Sequence, residues 1–327
     1  MVPSHPPAPA PAPASPRVRP TPESPTPAPP TSPHGSDGAT WPPPARVIER
    51  VVAAALAEDA PSGDLTGSVL IPADATARAD VVAREPGVCA GLAVFREAMV
   101  QTDPALEVLP LVADGDRFAA GATLATVAGN ARAVLAAERV ALNLLQRLSG
   151  IATATRAHVD AAAGTGARIA DTRKTTPGLR ALERYAVRCG GGFNHRDSLS
   201  DAVMAKDNHL ALLGTGSGLT ASLRAARARL GHTVHFEVEI DRLDQLEAVV
   251  AAGVDTVMLD NFGLEDLAEG VRRVGGRCLV EASGNVRPET VAAIAATGVD
   301  VISSGALTHG VRALDLGLDF RADGSAP

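Results

Sequence analysis

Six short apolar runs, each closing on polar residues and each followed by a linker and a helix-forming stretch, recur between Arg168 and Ser304. They cover residues 168–172, 202–206, 234–240, 255–260, 278–283 and 299–304. Strands that alternate with helices predict parallel βαβ units, because a parallel neighbour is reached only through a crossover. From Glu239 the polar ends step to Asp260, Ser283 and Ser304 at intervals of 21, 23 and 21 residues, about one short βα repeat each. In a parallel α/β barrel such ends share one rim, where barrel enzymes build their active sites.

The preceding chain has a different grain. A helix is expected over 46–57, short β-rich runs over 79–83, 106–112 and 123–127, and a helix over 92–101, so residues 45–150 predict a small α+β domain. A long helical pattern over 131–163 carries Val134, Leu135, Leu142, Leu145 and Leu148 on one face, with an interruption expected near Gly150. The barrel domain is assigned to 151–309, and residues from about 310 to 327 could pack back on the N-terminal domain. Residues 1–44 hold 17 of the 25 prolines and too few large apolar side chains to offset ordering entropy, which predicts a disordered, partly polyproline-II tail.

Composition narrows the function classes. A net charge of −7 argues against a general nucleic-acid binder, which needs a basic footprint. No run is long enough for a membrane span, and the N-terminus lacks a secretory pattern. Cys89, Cys189 and Cys278 have neither metal-ligand nor disulfide-framework spacing, so a cytoplasmic protein is expected.

Against that acidic background the rim is locally basic. Arg173 and Lys174 follow the first barrel strand, His195 and Arg196 follow the glycine run 190–192, and Lys206 closes the second strand. Such a gathering points to a ligand with several negative charges. Lys206 taken alone would also suit a Schiff-base lysine. Glu239 and Asp260, on consecutive strand ends, suit a divalent cation, sugar hydroxyls or a developing positive charge. Ser283-Gly284 and Ser304-Gly305 end the last two strands, where barrels often bind phosphate. Pro177 is placed to open a helix, the stretch 214–218 reads as a flexible loop, and His158, His232 and His235 lack ligand spacing.

Several segments resemble the quinolinate phosphoribosyltransferase family. They are Glu58-Asp59 with 63–66, Glu138-Arg139 with 143–151, then 171–177, 190–196, 206–209, 237–239, 259–262, 281–284 and 304–309, together spanning about 46–320. The proline-rich start is foreign to the family pattern, and Gly310 stands where a serine is common. The resemblance implies an incomplete α/β barrel with an N-terminal sandwich-like domain. It also implies a magnesium-dependent reaction of quinolinate with 5-phosphoribosyl 1-pyrophosphate, giving nicotinate mononucleotide, pyrophosphate and carbon dioxide for NAD synthesis. A homodimer is implied as well, in which Arg139 enters the partner's site. By the same resemblance Arg173, His195, Arg196 and Lys206 bind quinolinate, and Lys174 lies near both substrates. Glu239 and Asp260 serve the ribose and the metal, and Ser283, Gly284, Ser304 and Gly305 hold phosphates. Two rival readings are a same-fold paralogue using another aromatic acid and a catalytically silent anion-binding module.

Overall fold

The structure, a computed structural model, describes residues 41–321. Most of the expected tail, residues 1–40, lies outside the described residues, as do 322–327.

The N-terminal region runs α1 (Ala45–Asp59), α2 (Leu65–Leu70), β1 (Thr76–Ala83), β2 (Gly87–Val88), α3 (Leu92–Thr102), β3 (Glu107–Pro110), β4 (Arg117–Phe118) and β5 (Thr123–Asn130). In β1 the buried residues Ala79, Val81 and Ala83 alternate with more exposed ones, as a strand with one core face requires. Phe95 and Met99 of α3 are fully buried, and α3 packs on the helix that follows.

That helix, α4 (Ala131–Ala161), starts at Asn130, whose side chain accepts from Ala133 N at 3.2 Å. It corrects the interruption expected at Gly150, since the helix passes straight through. Gly150 is there for space. A Cβ at that position would collide with the Arg312 carbonyl oxygen, so the glycine lets the returning C-terminal chain lie against the helix.

The second half alternates β6 (Arg168–Ala170), α5 (Arg180–Cys189), β7 (Val203–Ala205), α6 (Asp207–Leu210), α7 (Gly216–Arg227), β8 (Phe236–Ile240), α8 (Leu246–Val250), β9 (Thr256–Asp260), α9 (Leu264–Val274), β10 (Leu279–Ser283), α10 (Pro288–Ala296), β11 (Val301–Ser303) and α11 (Ala306–His309). Every strand pair is parallel, in the order β6-β11-β10-β9-β8-β7. That is sequence order read round a ring with one unpaired seam, between β6 and β7: an incomplete α/β barrel. The glycine run leads into the seam, where Phe193 bridges β6 through Phe193 N→Ile169 O (2.8 Å) and Asp171 N→Phe193 O (3.0 Å).

Two local expectations need revision. Pro177 opens a turn and α5 begins only at Arg180, because Gly178 at φ +83° breaks helical geometry. The stretch 214–218 is loop only at its start; Gly216 and Gly218 lie in the first turn of α7. A last strand, β12 (Leu316–Phe320), pairs antiparallel with β1 and extends the N-terminal sheet to β12-β1-β5-β3.

Candidate active site

Because the six strands run parallel, their C-terminal ends form one edge, and the period of two along each strand sorts the side chains by depth. Glu237 and Glu239 share a face of β8, and Glu281 and Ser283 share a face of β10. Glu237 and Glu281 form the deeper layer and are 2% and 3% exposed. Glu239, Asp260 and Ser283 form the outer layer.

His195 points down into the deeper layer. Its Nε2 lies 3.1 Å from Glu237 and 3.4 Å from Glu281, the one group of three metal-capable side chains that converges among the described residues. Burial disfavours the imidazolium, but hydrogen bonds to the two carboxylates outweigh it and push the imidazole up to about 10. Arg196 N donates to Nδ1 at 2.7 Å, and a second proton there would cost that bond. The charged form is therefore favoured by less than the carboxylates alone would give. Glu237 is itself pushed up by burial.

The cations are incompletely neutralised. Arg173 Nε is buried without a hydrogen-bond partner, and neither Arg173 nor Arg196 has a carboxylate within ion-pair range among the described residues. Burial, then the nearby charge of Arg173, depresses the Arg196 guanidinium. Lys206 differs, since its Nζ is ion-paired with Glu239 across adjacent strands. Lys174 is exposed, with its Cδ 2.6 Å from where a Cβ on Gly305 would stand. Arg139, exposed on α4, makes no side-chain hydrogen bond or ion pair among the described residues. The structure thus brings Arg173, His195, Arg196, Lys206, Glu239 and Asp260 to one strand edge and leaves Arg139 on a helix surface outside it.

The turns after β9 and β10 dock on each other. Asn261 (φ +60°) and Asn285 (φ +53°) adopt left-handed backbone, and Asn285 Nδ2 donates to Asn261 Oδ1 at 3.1 Å. Gly284 (φ +88°) sits against the same Asn261 oxygen, where a side chain would have neither the conformation nor the room. Ser304 is buried with its N–H donated to Ala170 O, and the Ser303 hydroxyl is buried without a partner.

Residues 64–149 match the family described as quinolinate phosphoribosyl transferase, N-terminal domain, and residues 151–319 match its C-terminal domain. The chain belongs to the quinolinate phosphoribosyltransferase family. A carboxylating nicotinate-nucleotide pyrophosphorylase of Mycobacterium leprae is 46% identical over 275 residues, 81% of this chain and 94% of that protein. A probable carboxylating nicotinate-nucleotide pyrophosphorylase of Bacillus subtilis is 42% identical over 262 residues, 80% and 89% of the two chains. The solved nicotinate-nucleotide pyrophosphorylase of Francisella tularensis superposes with a TM-score of 0.79 at 38% identity, covering 85% of this chain and 97% of that one.

The supports beneath the rim were not legible as site residues in the sequence. Asp171, fully buried and pushed up by burial, accepts from His195 N (2.7 Å) and Asn194 Nδ2 (2.6 Å). Arg184 of α5 donates to the carbonyls of His195 (2.7 Å) and Arg196 (3.0 Å), fixing the loop that presents them. Glu237 had a legible signal, standing two residues before Glu239 in a strand and hence on the same face; Glu281 stands likewise before Ser283.

Proposed function

We propose that this chain transfers the phosphoribosyl group of 5-phosphoribosyl 1-pyrophosphate to quinolinate, releasing pyrophosphate and carbon dioxide and forming nicotinate mononucleotide for NAD synthesis. One observation carries the reading: Arg173 and Arg196 lie together, partly buried, with an unpartnered Arg173 Nε and no carboxylate paired to either among the described residues. Half-buried cations of this kind call for an anionic partner, and a planar dicarboxylate suits guanidinium forks. The names of the relatives fit the same reaction.

The chemistry follows from the groups present. The cations fix the quinolinate carboxylates and orient the ring nitrogen. Lys206, drawn toward a substrate carboxylate, releases Glu239, which with Asp260 stabilises positive charge as the anomeric C–O bond breaks and pyrophosphate leaves. The ring nitrogen bonds to the anomeric carbon and becomes cationic. Cleavage of the adjacent C–CO2 bond then leaves an electron pair on a ring carbon stabilised by that nitrogen, and the carbon takes a proton from solvent. The donors fit magnesium in part: among the described residues the Asp260 side chain accepts only from Asn261 Nδ2 (2.8 Å) and would be the ligand, whereas Glu239 is held by Lys206. Magnesium would neutralise the pyrophosphate charge.

The assembly is proposed to be a homodimer that shares its sites. Leu65, Val69 and Leu70 of α2 are 78%, 72% and 70% exposed, beside a cavity of about 430 Å³ lined by Gly63, Leu65, Gly67, Leu135 and Ala136. An apolar patch of this kind marks an interaction surface, and unpaired Arg139 stands on the same α4. No helix among the described residues is long and apolar enough to cross a membrane, and three free thiols support a cytoplasmic location.

The test is incubation with quinolinate, the sugar donor and magnesium, scoring nicotinate mononucleotide and carbon dioxide. Nicotinate offered instead should react very poorly, because one carboxylate of the pair is missing and buried cations go unpaired. Efficient turnover of nicotinate, or no product from quinolinate, overturns the assignment.

A further inference from the structure

Arg147 of α4 sends its guanidinium bonds to Glu183, Thr176 and Thr308, which support two rim loops, and to the Val311 carbonyl. Its Nε and Nη2 donate to Glu183 Oε1 at 3.2 and 2.9 Å, and Nη2 also reaches Thr176 Oγ1 at 3.4 Å. Its Nη1 donates to Val311 O at 2.9 Å, and Nη2 to Thr308 O. Glu183 is fully buried and accepts from Thr176 N (3.0 Å) and Thr176 Oγ1 (2.7 Å), two residues beyond Lys174. Thr308 closes the circuit: its buried hydroxyl donates to Lys174 O at 2.7 Å and lies 3.2 Å from Gly305 O. The loop after β6, which carries Arg173 and Lys174, is thereby bonded to the loop after β11, which carries Ser304 and Gly305. The Lys174 stem also passes against Gly305, its Cδ 2.6 Å from where a Cβ there would stand.

We propose that Arg147, Glu183 and Thr308 are positioning residues that couple the two loops, so that an anion bound at one raises affinity at the other. The proposal rests on the functional reading above, which puts a dicarboxylate at Arg173 of the first loop, and on the family resemblance, which assigns a phosphate to Ser304 and Gly305 of the second. The physical reason is entropic: loops that are ordered separately each lose freedom on binding, whereas bonded loops lose it once, and the second ligand binds to a frame already set. Such coupling is reciprocal. Arg147 is suited to the hub because a guanidinium offers five N–H donors in a fixed fork, which an ammonium cannot reproduce.

The experiment uses the full chain and phthalate, a benzene dicarboxylate that lacks the attacking nitrogen and so binds without reacting. Its Kd is measured by calorimetry alone and with saturating 5-phosphoribosyl 1-pyrophosphate and magnesium. In the wild type the donor should tighten phthalate roughly fivefold or more, a typical coupling. Thr308→Val removes only the hydroxyl bonds to Lys174 and Gly305. Arg147→Lys keeps the charge beside Glu183 and loses the fork. In each, the tightening should fall to about twofold or less, while phthalate alone binds within about threefold of wild type. Hydrogen exchange of amides 172–176 and 304–309 should slow together when either ligand binds the wild type, and separately in Thr308→Val. A purely structural role would lower the melting temperature and leave the coupling untouched. Undiminished coupling in both variants, or none in a wild type that binds both ligands, overturns the proposal alone. Failure of the wild type to bind phthalate overturns the functional reading, and this proposal with it.

Discussion

At the scale of single residues, the sign of the charge separates the groups that bind quinolinate from the groups that stabilise the reacting sugar, since Arg173, Arg196 and Asp260 are all partly buried. Arg173→Ala or Arg196→Ala should raise KM for quinolinate by about 10- to 150-fold, the loss of about 1.5–3 kcal/mol for a hydrogen bond to a charged group. Their effect on kcat should be smaller. Asp260→Asn should instead lower kcat by roughly 10²- to 10³-fold at saturating substrates and magnesium, because its charge counts most as the anomeric carbon becomes positive. Steady-state kinetics of the variants checks the split, and a KM effect at Asp260 with full kcat would contradict its assignment. The cations were legible in the sequence because residue type and place at a strand end suffice to put them on a rim. The pairing of Lys206 with Glu239 was not, since it depends on the lateral register of β7 against β8, which spacing along the chain does not encode. The bonds of His195 Nε2 to Glu237 and Glu281 were not legible either, because they depend on how the loop after the glycine run packs on β8 and β10.

At the scale of elements, the six barrel strands could be read to within a few residues because each is a compact apolar run with polar punctuation. The continuity of α4 could not: a glycine in a helix ordinarily weakens it, and only the Arg312 carbonyl, far along the chain, explains why Gly150 stays. Gly150→Ala offers about 1 kcal/mol of helix propensity, but forcing a methyl against backbone typically costs about 1–3 kcal/mol. A lower urea midpoint is expected, and a higher one would show that the C-terminal chain yields freely. The strand β12 depends on acid-sensitive contacts. Glu85 is held at about 2 by the Arg312 guanidinium and the Asp315 N–H, and Arg84 lowers Asp319. Both folded-state values lie below those of the unfolded chain. Their contribution is therefore full above about pH 4.5 and fades as pH falls toward 2. Hydrogen exchange should show β12 amides losing protection across that window ahead of the barrel strands, with Glu85→Gln flattening the dependence.

At the scale of the whole molecule, the proposed shared site makes a prediction about mixtures. If Arg139 serves the partner's site and Lys206 its own, Arg139→Ala and Lys206→Ala should each be nearly inactive. Mixed in equal amounts and allowed to exchange subunits, they should recover roughly a quarter of wild-type activity, since about half the dimers pair unlike chains and each has one intact site. Exchange confirmed by mass spectrometry with no recovery would place Arg139 in its own subunit's chemistry. The large-scale plan was partly legible: alternating strands and helices announce a barrel, but no pattern within residues 316–320 names β1 as their partner. That partnership joins residues more than 200 positions apart, as in Arg84 with Asp319. A ribosome delivers β1 long before β12, so during synthesis the nascent N-terminal sheet has only β5 to pair with β1. One flank of β1 then keeps its unpaired amides and carbonyls until Leu316–Phe320 have been made, a period in which neighbouring nascent chains can compete for it.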